Sequence, residues 1–214
     1  MNSWLEHLRT WIRWRLASRH AASFPRPRHI GRGVRINGNV KFGRDVELGD
    51  GVTIEGDVVV GDGAAIEPGV LIRGSVVLGE GAQIGRHTYI GTGPSGHLSI
   101  GTHVHIGWFG MLGAMQRLTI GDHCIFAPYV QVTDAEHGLD HPDHVKYAPI
   151  DSAPVSIGEG VWLGSHTVVL KGARIGARGA IGAHSLVRGE IPDNAVAFGI
   201  PAKVHRMRSD RAVS

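Results

Sequence analysis

Along most of this chain an apolar residue returns at every sixth place. It begins at Ile30 and recurs at Ile36, Phe42, Leu48, Ile54, Val60, Ile66, Ile72, Leu78, Ile84 and Ile90. Gly follows at seven of these eleven places. The fifth place is small or β-branched from Val34 to Thr88, and only the last, Pro94, breaks that rule. A period of six matches neither the 3.6 of a helix nor the 2 of an amphipathic strand. It predicts short strands, each followed by a bend. The beat residue points inward, and the Gly after it can take backbone conformations closed to other residues. The fifth residue points inward again and must be small because the core is narrow. No single repeat can bury its own face, so equivalent strands must stack in parallel, coil upon coil.

The beat slips three times. Residues 96–99 read as four extra residues before Ile100, Ile106 and Leu112. Leu118 and Thr119 read as two extra before Ile120, Phe126 and Val132. Residues 138–156 form a long gap before Ile157, Leu163, Val169, Ile175, Ile181 and Val187, and the pattern dissolves near Pro192. The expected organisation is an arm and linker at 1–29, a repeat region at 30–191 and a short C-terminal segment at 192–214. A solenoid admits insertions only as loops. Loops above roughly 12–15 residues in a compact domain are usually functional. Chemistry is therefore expected at the 138–156 loop.

Ahead of the repeat the pattern becomes helical. Ser3 and Glu6 have capping-box spacing, and Trp4, Leu5, Leu8, Trp11, Ile12 and Leu16 recur at helical spacing. Arg9, Arg13 and Arg19 lie off that stripe, and Pro25 and Pro27 end the helix. Such a helix fits a membrane interface or a neighbouring subunit equally well. Charge sharpens the picture. The net +3 hides eight Arg and one Glu in residues 1–35, against 14 basic and 18 acidic residues in the remainder. A basic arm of this kind meets anionic surfaces.

Composition bounds the rest. With 214 residues, 42% of them hydrophobic, the chain can bury one core and carry an arm. Its 32 Gly lack a three-residue period, which excludes collagen. A single Cys excludes a disulfide scaffold and a Cys-based zinc cluster. No apolar run approaches the roughly 18 residues of a spanning helix, and no stretch reads as a cleavable signal peptide. The expected location is cytoplasmic, peripheral at the inner face of the membrane through residues 3–19, with no nucleic-acid partner.

Beats of the form Ile-Gly-x-x-Val-x resemble the hexapeptide-repeat acyltransferase family over roughly residues 30–205. The second half is more specific. It holds the run from Ile120 to Val130, then Asp134-Ala-Glu-His137-Gly, Val161-Trp162-Leu-Gly-Ser165-His and Ala197-Phe-Gly-Ile-Pro201-Ala-Lys203. These are similar to the galactoside, maltose and polysaccharide O-acetyltransferase branch. The resemblance implies an all-β, left-handed parallel β-helix and a homotrimer with sites between subunits. It also implies acetyl transfer from acetyl-CoA, without a metal, to a hydroxyl of a saccharide acceptor. That acceptor would be a surface polysaccharide or a lipid-linked sugar.

Acyl transfer from a thioester needs a base, donors for the developing oxyanion, and two substrates held in line. The resemblance makes His137 the base, and imidazole has an ordinary pKa near 6.5 that suits the task. Among the 14 His of the chain, His87, His103, His123, His166 and His184 fall at the fourth place of a repeat and read as exposed corners. Asp134 is expected to hold the imidazole in the right tautomer, with loop capping as its alternative. Ser165 matches the position facing the oxyanion, Trp162 a pocket wall and Ala183 a pantetheine contact. Lys203 and Arg206 match basic positions near the nucleotide phosphates, and Arg188 stands beside a missing Lys of the branch. Met115 replaces an acid that contacts the acceptor in galactoside-type relatives, among apolar Trp108, Phe109 and Met111. The acceptor is not expected to be held as it is there. Two other readings stay open. His137, His141 and His144 could ligate zinc as in a γ-type carbonic anhydrase, or the chain could be a non-catalytic, membrane-docking scaffold.

Overall fold

The computed structural model describes residues 25–208 and, before them, Ile12 alone, which is helical. The amphipathic segment expected over residues 3–19 otherwise lies outside the described residues.

Each beat becomes a strand that pairs in parallel with its equivalent one coil on. On one face the register runs Ile30↔Leu48, Leu48↔Ile66, Ile66↔Ile84, Ile84↔Ile106, Ile106↔Phe126, Phe126↔Leu163 and Leu163↔Ile181. These beat residues are buried, as are the small apolar fifth-place residues from Val34 to Ala173. The core is thus a set of vertical ladders running the length of a parallel β-helix, as the period requires. Two further faces complete each coil. They are joined in the first coils by the eight-residue strands Arg35–Phe42, Thr53–Val60 and Leu71–Leu78. These strands turn the corner between the two faces without breaking, because Gly38, Gly56 and Gly74 sit at φ near +100°. A Cβ on Gly56 would lie 2.6 Å from the Gly74 carbonyl oxygen, so both dihedral and space demand glycine.

The structure relocates the first two slips of the beat. Leu98 pairs with Val76, Leu118 with Leu98, and Val155 with Leu118, all at the inward fifth place. Leu98 and Leu118 are therefore regular core residues within the strands His97–Ile100 and Arg117–Ile120. The extra residues are 93–96 and 115–116, at the corner. The third insertion likewise leaves the coil after Thr133 and rejoins it at Val155, two residues before the expected Ile157. All three insertions stack on the same corner in successive coils. A corner is the only place where extra chain leaves the ladder hydrogen bonds intact.

The repeat also runs past the expected boundary at 191. Ala195–Gly199 adds a last parallel strand, with Ala180↔Val196 and Ile181↔Ala197 in register. The chain then reverses through a cis Ile200–Pro201 bond, and Ala202–Met207 pairs back antiparallel. That returning strand covers the open edge of the sheet, which would otherwise offer unpaired backbone.

Candidate active site

His137 ends the strand Ala135–His137, which pairs antiparallel with Ile150–Ser152. This hairpin stands out from the insertion corner, and His137 is exposed. Two sets of contacts anchor it. On the coil below, the Asp134 carboxylate is fully buried and accepts the backbone N–H groups of Met115, Gln116 and Arg117 at 2.6–2.8 Å. The Gln116 side-chain amide donates to the Ser152 carbonyl and hydroxyl. On the coil above, Lys171 pairs with both Glu136 and Asp151. These two acids hold its ammonium above the ordinary lysine value, Asp151 most strongly.

The expectation that Asp134 orients the His137 imidazole is corrected here. Both of its oxygens are occupied by backbone N–H groups of the neighbouring corner, and its alternative role of loop capping is the one seen. It positions the root of the hairpin rather than the ring. The zinc reading named His137, His141 and His144. His141 Nδ1 accepts the backbone N–H groups of Asp143 and His144 within the loop. Among the described residues no three His, Cys, Asp or Glu side chains converge.

Trp162, Ser165 and Ala183 lie on a different corner. Trp162 stands on an outer face in register between Ile125 and Ala180, and it is 45% exposed. Ser165 and Ala183 occupy equivalent places in successive coils, joined by the Ser165 carbonyl accepting the His184 N–H at 2.9 Å. At the same place of other repeats, on this corner for Arg32 and on another corner for the rest, the backbone N–H is capped by an acid. Asp50 takes the Arg32 N–H, Asp62 that of Arg44, Asp122 that of Thr102 and Asp193 that of Ala177, at 2.7–2.8 Å. These bonds hold the Asp62 and Asp122 carboxyls below the usual range. Above Ser165 the equivalent residue is Ala183, which has no acceptor. Among the described residues the N–H groups of Ser165 and Ala183 make no hydrogen bond, and neither does the Ser165 hydroxyl.

The Ala183 donor is also fixed in direction. Thr167 and Ser185, both buried, donate their hydroxyls to the Gly182 carbonyl at 3.2 and 2.6 Å. A peptide unit is planar and trans, so pinning this carbonyl inward turns the Ala183 N–H outward. Beside these donors runs a column of rings: His87, Phe109, Tyr129, His166 and His184, with centroids 4.7–5.4 Å apart. All five residues adopt φ between +56° and +63° and are exposed, as expected for the three histidines.

The remaining candidates divide in the same way. Lys203 and Arg206 are exposed on the returning strand, opposite Phe198 and Val196 at the top of the Trp162 face. Arg188 is exposed after Leu186–Val187, on the insertion corner with His137. One chain therefore holds the base at one corner and the donors at another. A full coil side of about six residues lies between them, roughly 20 Å at strand rise. Sequence reasoning missed Lys171, Gln116 and the outward N–H pair. The pair has a readable signal, the loss of the capping acid at that place in the repeat.

The bacterial transferase hexapeptide family (six repeats) matches residues 57–92 and 154–189. Galactoside O-acetyltransferase of Escherichia coli K12 is 36% identical over 124 residues, 55% of this chain and 61% of that protein. A putative lipopolysaccharide biosynthesis O-acetyl transferase of the same strain is 36% identical over 118 residues, 51% of this chain and 57% of that protein. A solved galactoside acetyltransferase in complex with coenzyme A has a TM-score of 0.56 at 33% identity, covering 63% of this chain and 66% of that one. The chain spans about two fifths to three fifths of the length of the curated relatives it matches. Stacked parallel coils, the six-residue beat and these likenesses agree: the chain carries the hexapeptide repeats of the bacterial transferase family and is similar to galactoside and lipopolysaccharide O-acetyltransferases.

Proposed function

We propose that the protein moves the acetyl group of acetyl-CoA to a hydroxyl of a saccharide acceptor, with His137 as general base. The observation that carries this reading is the pair of outward N–H donors at Ser165 and Ala183, beside an exposed Trp162. Their counterpart is an exposed imidazole on an anchored hairpin. The CoA-bound relative and the lipopolysaccharide relative support the donor and the acceptor class.

The chemistry follows from these groups. His137 takes the proton as the acceptor hydroxyl oxygen attacks the thioester carbonyl. The developing oxyanion meets the Ser165 N–H or hydroxyl. The C–S bond then breaks, and the leaving CoA thiolate recovers the proton from His137. The pantetheine arm runs along Trp162 and the Ala183 N–H, and Arg188, Lys203 and Arg206 meet the phosphates.

Because base and donors sit on different corners, a site is completed by His137 of one copy and the Ser165 group of a second, in a homotrimer. The arm at residues 3–19 brings the trimer to the anionic inner face of the membrane, where a lipid-linked acceptor would be reached. Acetyl-CoA binding and slow hydrolysis, wild type against His137→Ala, test the core of this reading. The variant is expected to bind and not turn over. Failure of the wild type to bind acetyl-CoA overturns the reading. Light scattering tests the trimer, and flotation with anionic liposomes tests the arm.

A further inference from the structure

In the hairpin, Glu136 lies directly opposite Asp151, and His137 directly opposite Ile150. Successive residues of a strand point to opposite faces, and opposed residues share a face. Glu136 and Asp151 therefore form one face of the hairpin, and His137 and Ile150 form the other. Two carboxylates directly opposite each other repel and would splay the pair. Lys171, from the bend one coil on, meets both: its Nζ is 3.4 Å from the Glu136 carboxylate and hydrogen-bonds Asp151. The same bend donates the Gly172 N–H to the Ala153 carbonyl at 2.9 Å, so Lys171 is held against the hairpin by its own backbone. With 23% of its side chain exposed, Lys171 is more sheltered than either acid.

We propose that Lys171 is a positioning residue for the base. It neutralises the Glu136–Asp151 face, keeps the hairpin closed and turns the opposite face, with His137, toward the acceptor. This inference rests on the acetyl-transfer reading for its effect on turnover, but the closure of the hairpin does not depend on that reading.

The test uses the full chain and acetyl-CoA hydrolysis, with amide exchange over residues 135–152 as a second readout. Lys171→Met is expected to lower kcat tenfold or more, since small misplacements of a base cost turnover steeply. Its affinity for CoA should stay within about twofold and its Tm within about 3 °C, because the hairpin lies outside the core. Hairpin amides should exchange faster. Lys171→Arg, which keeps the charge, should retain most of the activity.

The decisive variant combines Lys171→Met with Glu136→Gln and Asp151→Asn. With the repulsion gone, exchange should slow again and kcat should recover most of its loss. A triple variant as inactive as Lys171→Met would mean that Lys171 meets substrate directly, and it would overturn the proposal. So would wild-type kcat and exchange in Lys171→Met. If the wild type turns over no acetyl-CoA while the exchange pattern follows the three variants, the closure stands and the acetyl-transfer reading fails.

Discussion

The carboxylate of Asp134 accepts the backbone N–H of Met115 at 2.6 Å, across one coil boundary and out of contact with solvent. Two more N–H groups from the same short corner converge on it. Asp134→Asn would put an amide donor where one of three donors now finds an acceptor. Charge-assisted bonds of this kind and their loss when buried suggest a cost of about 2–4 kcal/mol. Calorimetry should show a lower Tm, and kcat should fall more than CoA affinity, because the disturbed corner carries the His137 hairpin. Unchanged stability would refute the anchoring role.

The outward N–H of Ser165 owes its freedom to the residue stacked above it. Ala183→Asp recreates the cap that Asp50 places on Arg32 and Asp122 on Thr102. The expected outcome is an intact fold, slower exchange of the Ser165 amide and an increase in the Kd for CoA of about tenfold or more. If the Ser165 amide becomes protected and CoA binding and turnover stay as in the wild type, this N–H is not a donor to the substrate.

The corner glycine Gly56 is required, whereas Gly113, one register place before the corner, is dispensable. Gly56→Ala forces a Cβ against the next coil at φ +105° and should cost about 2–4 kcal/mol. Gly113, with nothing within 4 Å of its would-be Cβ, should accept Ala within about 0.5 kcal/mol. Paired thermal melts decide this, and equal losses would contradict the corner geometry.

Cys124 fills an inward place of the repeat and donates its thiol to the Gly158 carbonyl at 3.1 Å. Burial pushes the thiol up to about 11. A raised thiol pKa means less thiolate at any pH below it, so native protein at pH 8 should react with iodoacetamide about a hundredfold more slowly than denatured chain. Rapid native alkylation would mean that the coil opens around this residue.

The six-residue beat by itself determined the solenoid. Burial in a stacked coil is periodic and local, so Ile30 to Val187 declare their inward direction without knowledge of any partner. It also marked His87, His103, His123, His166 and His184 as exposed corners, and a long insertion close to residues 138–156. Tertiary structure alone decided where extra residues go. Leu98 and Leu118 are as apolar as any beat residue, and only pairing with Val76 and Val155 shows them to be regular core. It decided the role of Asp134 as well, since a carboxylate near a histidine in sequence turns to whichever donors the neighbouring coil presents. It separated His137 from Ser165, because residues 28 apart in sequence lie on different corners of the coils. And it brought Lys171 onto Glu136 and Asp151, a convergence of three segments that no spacing along the chain encodes.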